Sequence, residues 1–302
     1  MPELPEVQAL VTELGDRLGG RVVERFEVVA VSALKTIEVA PDRLAGMRIG
    51  AVTRRGKFLD IGVGDLHLVL HLARAGWIRW RSGPPSRPAR PGRGPLAARL
   101  LLGGDTDAVG DDVATGALPA GSGLDITEAG TKKSLAIYLV HDPASVPGIA
   151  RLGPDPLGDD FTLERFRSIL HDAGRSQIKG VLRDQARIAG IGNAYSDEIL
   201  HVARMSPFKR ADMDAATSAR LYDALRETLR DAVERADGLA ASELKGRKKS
   251  GMHVHGRTGL PCPVCGDTVR QVTYADSSLQ YCPTCQTGGK PLADRVLSRL
   301  LK

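Results

Sequence analysis

No apolar run in this 302-residue chain approaches the ~20 residues needed to cross a bilayer, and none opens it as a signal segment would. Both gaps lead to the expectation of a soluble, cytoplasmic protein with no membrane partner. Cysteine is scarce too: there are four, and none lies outside residues 262–285. A chain of this length does not need covalent staples, so a disulfide scaffold is the weaker alternative. Acid is in deficit, with 36 Asp and Glu against 42 Lys and Arg. The resulting charge of +6 and pI near 9.2 favour a polyanionic partner.

What the chain does contain is concentrated at its ends. The cysteines fall as Cys262-Pro-Val-Cys265 and Cys282-Pro-Thr-Cys285. Two tight turns, each presenting two thiolates, give the spacing of a tetrahedral zinc site. A single structural Zn²⁺ in a nucleic-acid-binding finger is the preferred reading; a zinc that only folds a terminal module is the alternative. At the other end stands Pro2-Glu3-Leu4-Pro5-Glu6-Val7. Removal of Met1 would leave Pro2 with a free secondary amine, and an α-amino group titrates at about 7.7–8.0, so a useful fraction is unprotonated at neutral pH. Such an amine attacks an electrophilic carbon and forms an iminium. Glu3 is the adjacent proton donor or acceptor. A loose, idle terminus is the plainer reading of the same residues.

Basic residues recur in three places: Arg54, Arg55 and Lys57, then Arg74 to Arg99, then Lys245-Gly-Arg247-Lys248-Lys249. One such run is usually a solvated surface; three suggest a shared phosphate track. Residues 1–140 read as a short opening helix followed by strands at 21–31, 57–63, 66–72, 97–102 and 134–140. Residues 82–95 and 103–123 are loops by composition, the first basic and the second acidic. From about residue 150 to 240 the period is helical: Thr162 opens a helix, Ser176 caps the next, and a long amphipathic helix covers 213–236. A finger of two strands and a short helical tail, with Leu292, Val296, Leu297 and Leu300 on one face, fill 245–302. Within the helical part, Ala189-Gly-Ile-Gly-Asn-Ala-Tyr195 joins two helices. Its N–H groups would hold a phosphate, with Asn193 as a donor and Lys179 as a charge. An ordinary helical corner explains the turn equally well.

The opening Pro-Glu-Leu-Pro-Glu-Val, Arg54-Arg-Gly-Lys57, the Gly-Ile-Gly-Asn-Ala-Tyr turn and the four-cysteine finger, in this order, resemble the formamidopyrimidine-DNA glycosylase and endonuclease VIII family. His71-Leu72, Leu152-Gly-Pro-Asp-Pro-Leu157, His255-Gly-Arg257 and Tyr281-Cys-Pro-Thr-Cys-Gln286 extend the resemblance over essentially the whole chain. It implies an α+β fold made of an N-terminal β-sandwich domain (1–140), a helix-two-turns-helix DNA-binding domain (150–240) and a C-terminal four-cysteine zinc finger with tail (245–302). It implies a monomeric, nucleoid-associated base excision repair enzyme acting on double-stranded DNA with damaged bases or abasic sites. In that scheme Pro2 attacks C1′ of a flipped-out nucleotide, Glu3 handles protons at the sugar, Lys57 holds a phosphate, and β,δ-elimination cuts the strand. Glu6 orients the terminus. His71, Arg74, Lys179, Asn193 and Arg257 fall at DNA-binding positions, and Cys262, Cys265, Cys282 and Cys285 hold the zinc.

Several positions depart from the family pattern. The His-Leu-Gly-Met wedge reads His71-Leu-Ala-Arg74, and an arginine stacks or grips a phosphate where methionine plugs a gap. The loop that usually carries arginine and an aromatic reads Glu128-Ala-Gly-Thr-Lys-Lys133. The hairpin arginine that clamps phosphates falls at Ser277, a loss that Lys290 or Arg295 would offset. The segment from Asp237 to His255 is shorter than the one that covers 8-oxoguanine in the resembled branch, which argues against that base and leaves formamidopyrimidines, oxidised pyrimidines and abasic sites open. These departures motivate a second reading, a damaged-DNA or abasic-site binding protein with little or no glycosylase turnover. A zinc-ribbon transcription or translation factor would explain the cysteines and leave Pro2 and Glu3 idle.

Overall fold

The computed structural model describes residues 1–86, 94–103, 118–275 and 277–293. It divides into two compact units: Met1–Pro2, Glu6–Ala150 and Asp237–Leu244 form one, and Glu3–Pro5, Arg151–Ala236 and the described part of Lys245–Lys302 form the other. Among the described residues no helix is long and apolar enough to cross a membrane.

The first unit contains most of helix α1 (Leu4–Leu18), a 15-residue element longer than the short opening helix expected. Eight strands follow as two antiparallel sheets, ordered β1-β6-β7-β5 and β2-β3-β4-β8. Strands β3 (Phe58–Val63), β4 (Leu66–His71), β6 (Leu96–Leu102) and β8 (Ala136–Val140) lie where the apolar runs place them, and β1 (Val23–Val28) is the middle of its expected run. In β3 and β4 consecutive residues such as Leu68, Val69 and Leu70 are all buried, the pattern of strands covered on both faces. Three strands were not expected: β2 (Ile49–Arg55), β5 (Gly76–Arg81) and β7 (Gly123–Glu128). Parts of both loops expected in this region, 87–93 and 104–117, lie outside the described residues.

The second unit is built on helices α2 (Leu163–Ala173), α3 (Ile178–Arg183), α4 (Asn193–Val202) and α5 (Ala215–Ala236). Thr162 caps α2 as expected, its hydroxyl accepting from the N–H of Arg165 at 3.2 Å. The cap of α3 differs: Gln177 occupies the N-cap position without a side-chain bond, and Ser176 lies one residue earlier in the preceding turn, its N–H donating to Ala173 O at 3.1 Å. Phe161, Phe166 and Tyr222 pack with ring centroids 5.9 Å apart, and the Tyr222 hydroxyl donates to Phe161 O at 2.8 Å. Leu4 joins this core together with Ile191, Tyr195, Ile199 and Leu200.

Helix α6 (Ala241–Ser250) precedes the finger, which pairs β9 (Arg270–Thr273) with β10 (Ser278–Tyr281) and ends in α7 (Pro283–Thr287). Val272, Leu279 and Tyr281 are buried beneath the hairpin, and the Tyr281 hydroxyl accepts from Leu292 N at 2.8 Å. Of the expected tail helix (291–302), residues 291–293 are not helical, and the remainder, with Arg295, Val296, Leu297 and Leu300, lies outside the described residues.

Candidate active site and zinc centre

The Gly190-Ile-Gly192-Asn193 turn was expected to bind a phosphate, and its anion is instead a side chain of the same protein. The Glu3 carboxylate accepts the N–H groups of Gly192 (2.6 Å), Ala194 (3.0 Å) and Tyr195 (3.3 Å) at the start of α4. A helix N-terminus carries unsatisfied donors and partial positive charge, which is why a carboxylate settles there. Both glycines make room for the segment. A Cβ on Gly190 would lie 2.8 Å from Leu4 Cβ, and one on Gly192 would lie 2.5 Å from Glu3 Cδ. Leu4 N donates to Gly190 O at 3.0 Å, which fixes the backbone beside Glu3. Pro2, Glu3 and Glu6 are all buried, so this opening segment is no frayed end.

The other two residues assigned to that turn have partners within the unit. Asn193 Nδ2 donates to Ser278 O of the finger hairpin at 2.8 Å, tying α4 to β10. Lys179 is buried, and its ammonium meets Asp197 Oδ1 at 2.6 Å, Ser196 Oγ at 2.7 Å and Asn193 O at 3.2 Å. Three acceptors occupy its three protons. Burial lowers the proton affinity of Lys179, and the fully buried Asp197 opposes that.

The same carboxylate reaches His255, whose Nδ1 lies 2.8 Å from Asp197 Oδ2. The neighbouring Glu198 accepts the N–H groups of His253 (2.7 Å), Val254 (3.0 Å) and His255 (2.8 Å). Consecutive acids on one helix therefore anchor the approach to the finger. Asp197 and Glu198 were visible only as the polar part of a helix, because no local spacing announces partners 55–58 residues away. Arg257 donates to Pro261 O at 3.2 Å, and its buried Nε has no partner among the described residues.

In the first unit, His71 ends β4 opposite Phe58, the ring centroids 4.7 Å apart. Burial, reinforced by the charge of Lys57, pushes the His71 imidazole down to about 4, so it is neutral at physiological pH. The structure thus brings Lys57 and His71 together. Beyond them the chain turns through Ala73, a non-glycine residue at φ 49°, and closes with Gly76 N donating to Leu72 O at 2.8 Å. This turn holds Arg74 exposed, with no hydrogen bond or ion pair among the described residues. Of the first basic cluster, Arg54 is bonded to Gln8 at 2.9 Å and Arg55 to Asp60 at 2.8 Å. Lys132 is exposed, Lys133 donates to Glu128 O, and Ser277 accepts from Tyr274 N at 2.8 Å in the hairpin.

The four cysteine sulfurs lie within 4.8 Å of one another. Cys262 and Cys285 are 4.0 Å apart and Cys265 and Cys282 3.3 Å, distances that exclude S–S bonds of about 2.0 Å. Around zinc with bonds of about 2.3 Å, tetrahedral thiolates sit roughly 3.8 Å apart, so the donor set fits one Zn²⁺. His201 Nε2 lies 3.3 Å from Cys262 Sγ and orients it from α4. The protein carries one structural zinc in this finger.

Comparison with known proteins agrees over most of the chain. The formamidopyrimidine-DNA glycosylase N-terminal domain matches residues 1–108, the formamidopyrimidine-DNA glycosylase H2TH domain residues 152–243, and the zinc finger found in FPG and IleRS residues 259–288. The formamidopyrimidine-DNA glycosylase of Heliobacterium modesticaldum is 34% identical over 298 residues, covering 95% of this chain and 100% of that protein. An uncharacterised formamidopyrimidine-DNA glycosylase-like protein of Mycobacterium tuberculosis is 57% identical over 161 residues, 53% of this chain and 99% of that one. The Lactococcus lactis formamidopyrimidine-DNA glycosylase, solved non-covalently bound to DNA containing an abasic site, superposes with a TM-score of 0.77 at 26% identity, covering 94% of this chain and 99% of that one. With its two antiparallel sheets, its helical unit and its four-cysteine finger, this chain belongs to the formamidopyrimidine-DNA glycosylase family.

Proposed function

We propose that the protein is a bifunctional DNA glycosylase and abasic-site lyase of base excision repair, using the amine of Pro2 after loss of Met1. The observation that carries this reading is the Glu3 carboxylate, buried and held by three backbone N–H groups one peptide bond from Pro2. A terminus anchored this way has its amine held in a defined position, and orientation is a large part of what catalysis needs. Pro2 attacks C1′, the base departs, and a protein–DNA iminium remains. The iminium acidifies the C2′ proton, whose loss starts β-elimination and then δ-elimination. Lys57 supplies a charge for a phosphate, and neutral His71 supplies a hydrogen-bonding group beside it. Asn193, Lys179 and Arg257 serve the DNA from the second unit, with Lys179 acting through its charge because its protons are already engaged.

Borohydride trapping on a duplex with an abasic site tests the reading. A covalent adduct that maps to Pro2 and disappears in Pro2→Gly is expected, and its absence from the wild-type protein refutes the proposal. The exposed Arg74, standing where the family carries an apolar plug, favours the binding-protein reading as the alternative. Tight binding to abasic DNA with no strand cleavage would establish it.

A further inference from the structure

The basic run 245–249 does not face solvent as a whole. Lys245, Arg247 and Lys249 are exposed, whereas Lys248 turns inward with its side chain only 16% exposed. Its ammonium lies 3.7 Å from Glu3 Oε1 and 4.6 Å from the centroid of the Tyr195 ring. A lysine loses hydration when its charge is drawn inward, and a carboxylate and an aromatic face are what make the position tolerable. The site around Glu3 therefore holds a second nitrogen group besides Pro2.

Glu3 is poorly suited to deliver a proton. Oε2 accepts from Gly192 and Tyr195, and Oε1 accepts from Ala194, three hydrogen bonds that are strongest to the ionised carboxylate and weaken if it takes up a proton. A departing base nevertheless needs one, because the pair of electrons from the broken bond lands on its nitrogen. We propose that Lys248 is the general acid that protonates the damaged base as it leaves, a role that rests on the glycosylase reading above. The lone pair of the Pro2 nitrogen forms the bond to C1′, and the bond from C1′ to the base nitrogen breaks. The electron pair stays with the base, which takes a proton from the Lys248 ammonium. The proton still carried by the proline nitrogen ends on O4′ as the sugar ring opens, and the neutral lysine is recharged from water. An abasic site has no base to protonate, so Lys248 serves excision and not iminium formation on a preformed abasic sugar.

This separation is measurable. Single-turnover base excision is followed on duplexes carrying formamidopyrimidine, 5-hydroxyuracil or 8-oxoguanine, using whichever the wild-type protein excises fastest. Borohydride trapping on a preformed abasic site is followed in parallel. Lys248→Met is expected to slow excision about 100-fold, the scale of a lost general acid. Trapping falls far less, so the ratio of the two rates shifts at least ~30-fold. Lys248→Arg keeps a cation at Glu3 and Tyr195, but a guanidinium does not release its proton near neutral pH; it should fold normally and excise as slowly as the methionine variant. Equal losses in both reactions, unchanged excision in Lys248→Met, or full excision by Lys248→Arg would each overturn the general-acid role. So would a wild-type protein that traps on abasic DNA and excises none of the three bases. A wild-type protein that does not trap at all refutes the glycosylase and lyase reading itself.

Discussion

Replacing Gly192 by alanine tests the anchoring of the amino-terminal segment with one methyl group. The added Cβ would lie 2.5 Å from Glu3 Cδ, 2.7 Å from Oε1 and 2.8 Å from Oε2, all too close to exist. Backbone strain contributes nothing, since Gly192 sits at φ −126° and ψ −153°, extended backbone that alanine adopts freely. The Glu3 main chain is pinned by the Leu4–Gly190 bond, so the carboxylate itself must leave and forfeits contacts of 2.6, 3.0 and 3.3 Å. Hydrogen bonds to a charged group are worth about 1.5–3 kcal/mol each and do not add fully. Breaking a buried ionic arrangement costs about 3–5 kcal/mol. At ~2–4 °C per kcal/mol, a loss of 3 kcal/mol lowers the melting temperature by roughly 6–12 °C. Scanning calorimetry reads that shift, and borohydride trapping should fall about 100-fold as the Pro2 amine loses its orientation. Gly180→Ala in helix α3, where a Cβ meets nothing within 4 Å, is the matched control and should melt at or slightly above the wild-type temperature. A Gly192→Ala protein that melts and traps like the wild type would refute the anchoring argument.

Three further outcomes follow from contacts elsewhere. Asp197→Asn leaves the buried Lys179 ammonium without its counter-ion and should cost about 3–5 kcal/mol in urea unfolding; a loss under 1 kcal/mol would show that the pair is dispensable. Cys262→Ser opens the tetrahedron beside His201 and should bring metal content from one zinc per chain to near zero, with weaker DNA binding; retained zinc would contradict the ligand set. His71 titrates at 6.5 when unfolded and at about 4 when folded, so the unfolded chain binds more protons between those values. Its contribution to stability is present above pH 6.5 and is lost as pH falls towards 4, up to about 3 kcal/mol, and the difference between wild-type and His71→Gln stability curves should show that slope. A flat difference would mean the imidazole is not buried in this way.

The parts of the fold legible from sequence are those where a strand or helix buries a continuous apolar pattern. Strands β3 and β4 sit inside their sheet and read as unbroken apolar runs, and α2 and α5 show one apolar face each. Strand β2 lies at a sheet edge and is basic, with only Ile49 buried, so its pattern was faint; β5, also an edge strand, buries Gly76, Trp77 and Ile78, an apolar signal that the surrounding basic run obscured. Helix α6 buries only Ala241 and Leu244 of its ten residues, too few to mark a period. The zinc ligands were legible because local spacing determines that geometry. The guest of the Gly-x-Gly turn was not, because the anion that fills it comes from 189 residues earlier in the chain.

That separation has a consequence for biosynthesis. The amides that receive Glu3 do not exist until residue 195 has been polymerised, and a ribosome adding ~5–20 residues per second needs roughly 10–40 s to get there from Glu3. During that interval the Glu3 carboxylate lacks the amides that anchor it, and the peptidase that must remove Met1 if Pro2 is to act as an amine meets a segment without that anchor. Once the carboxylate seats on α4, Pro2 and Glu3 are buried. Emergence of the amino terminus and assembly of the Glu3 anchor are thus put in order by the length of chain between them.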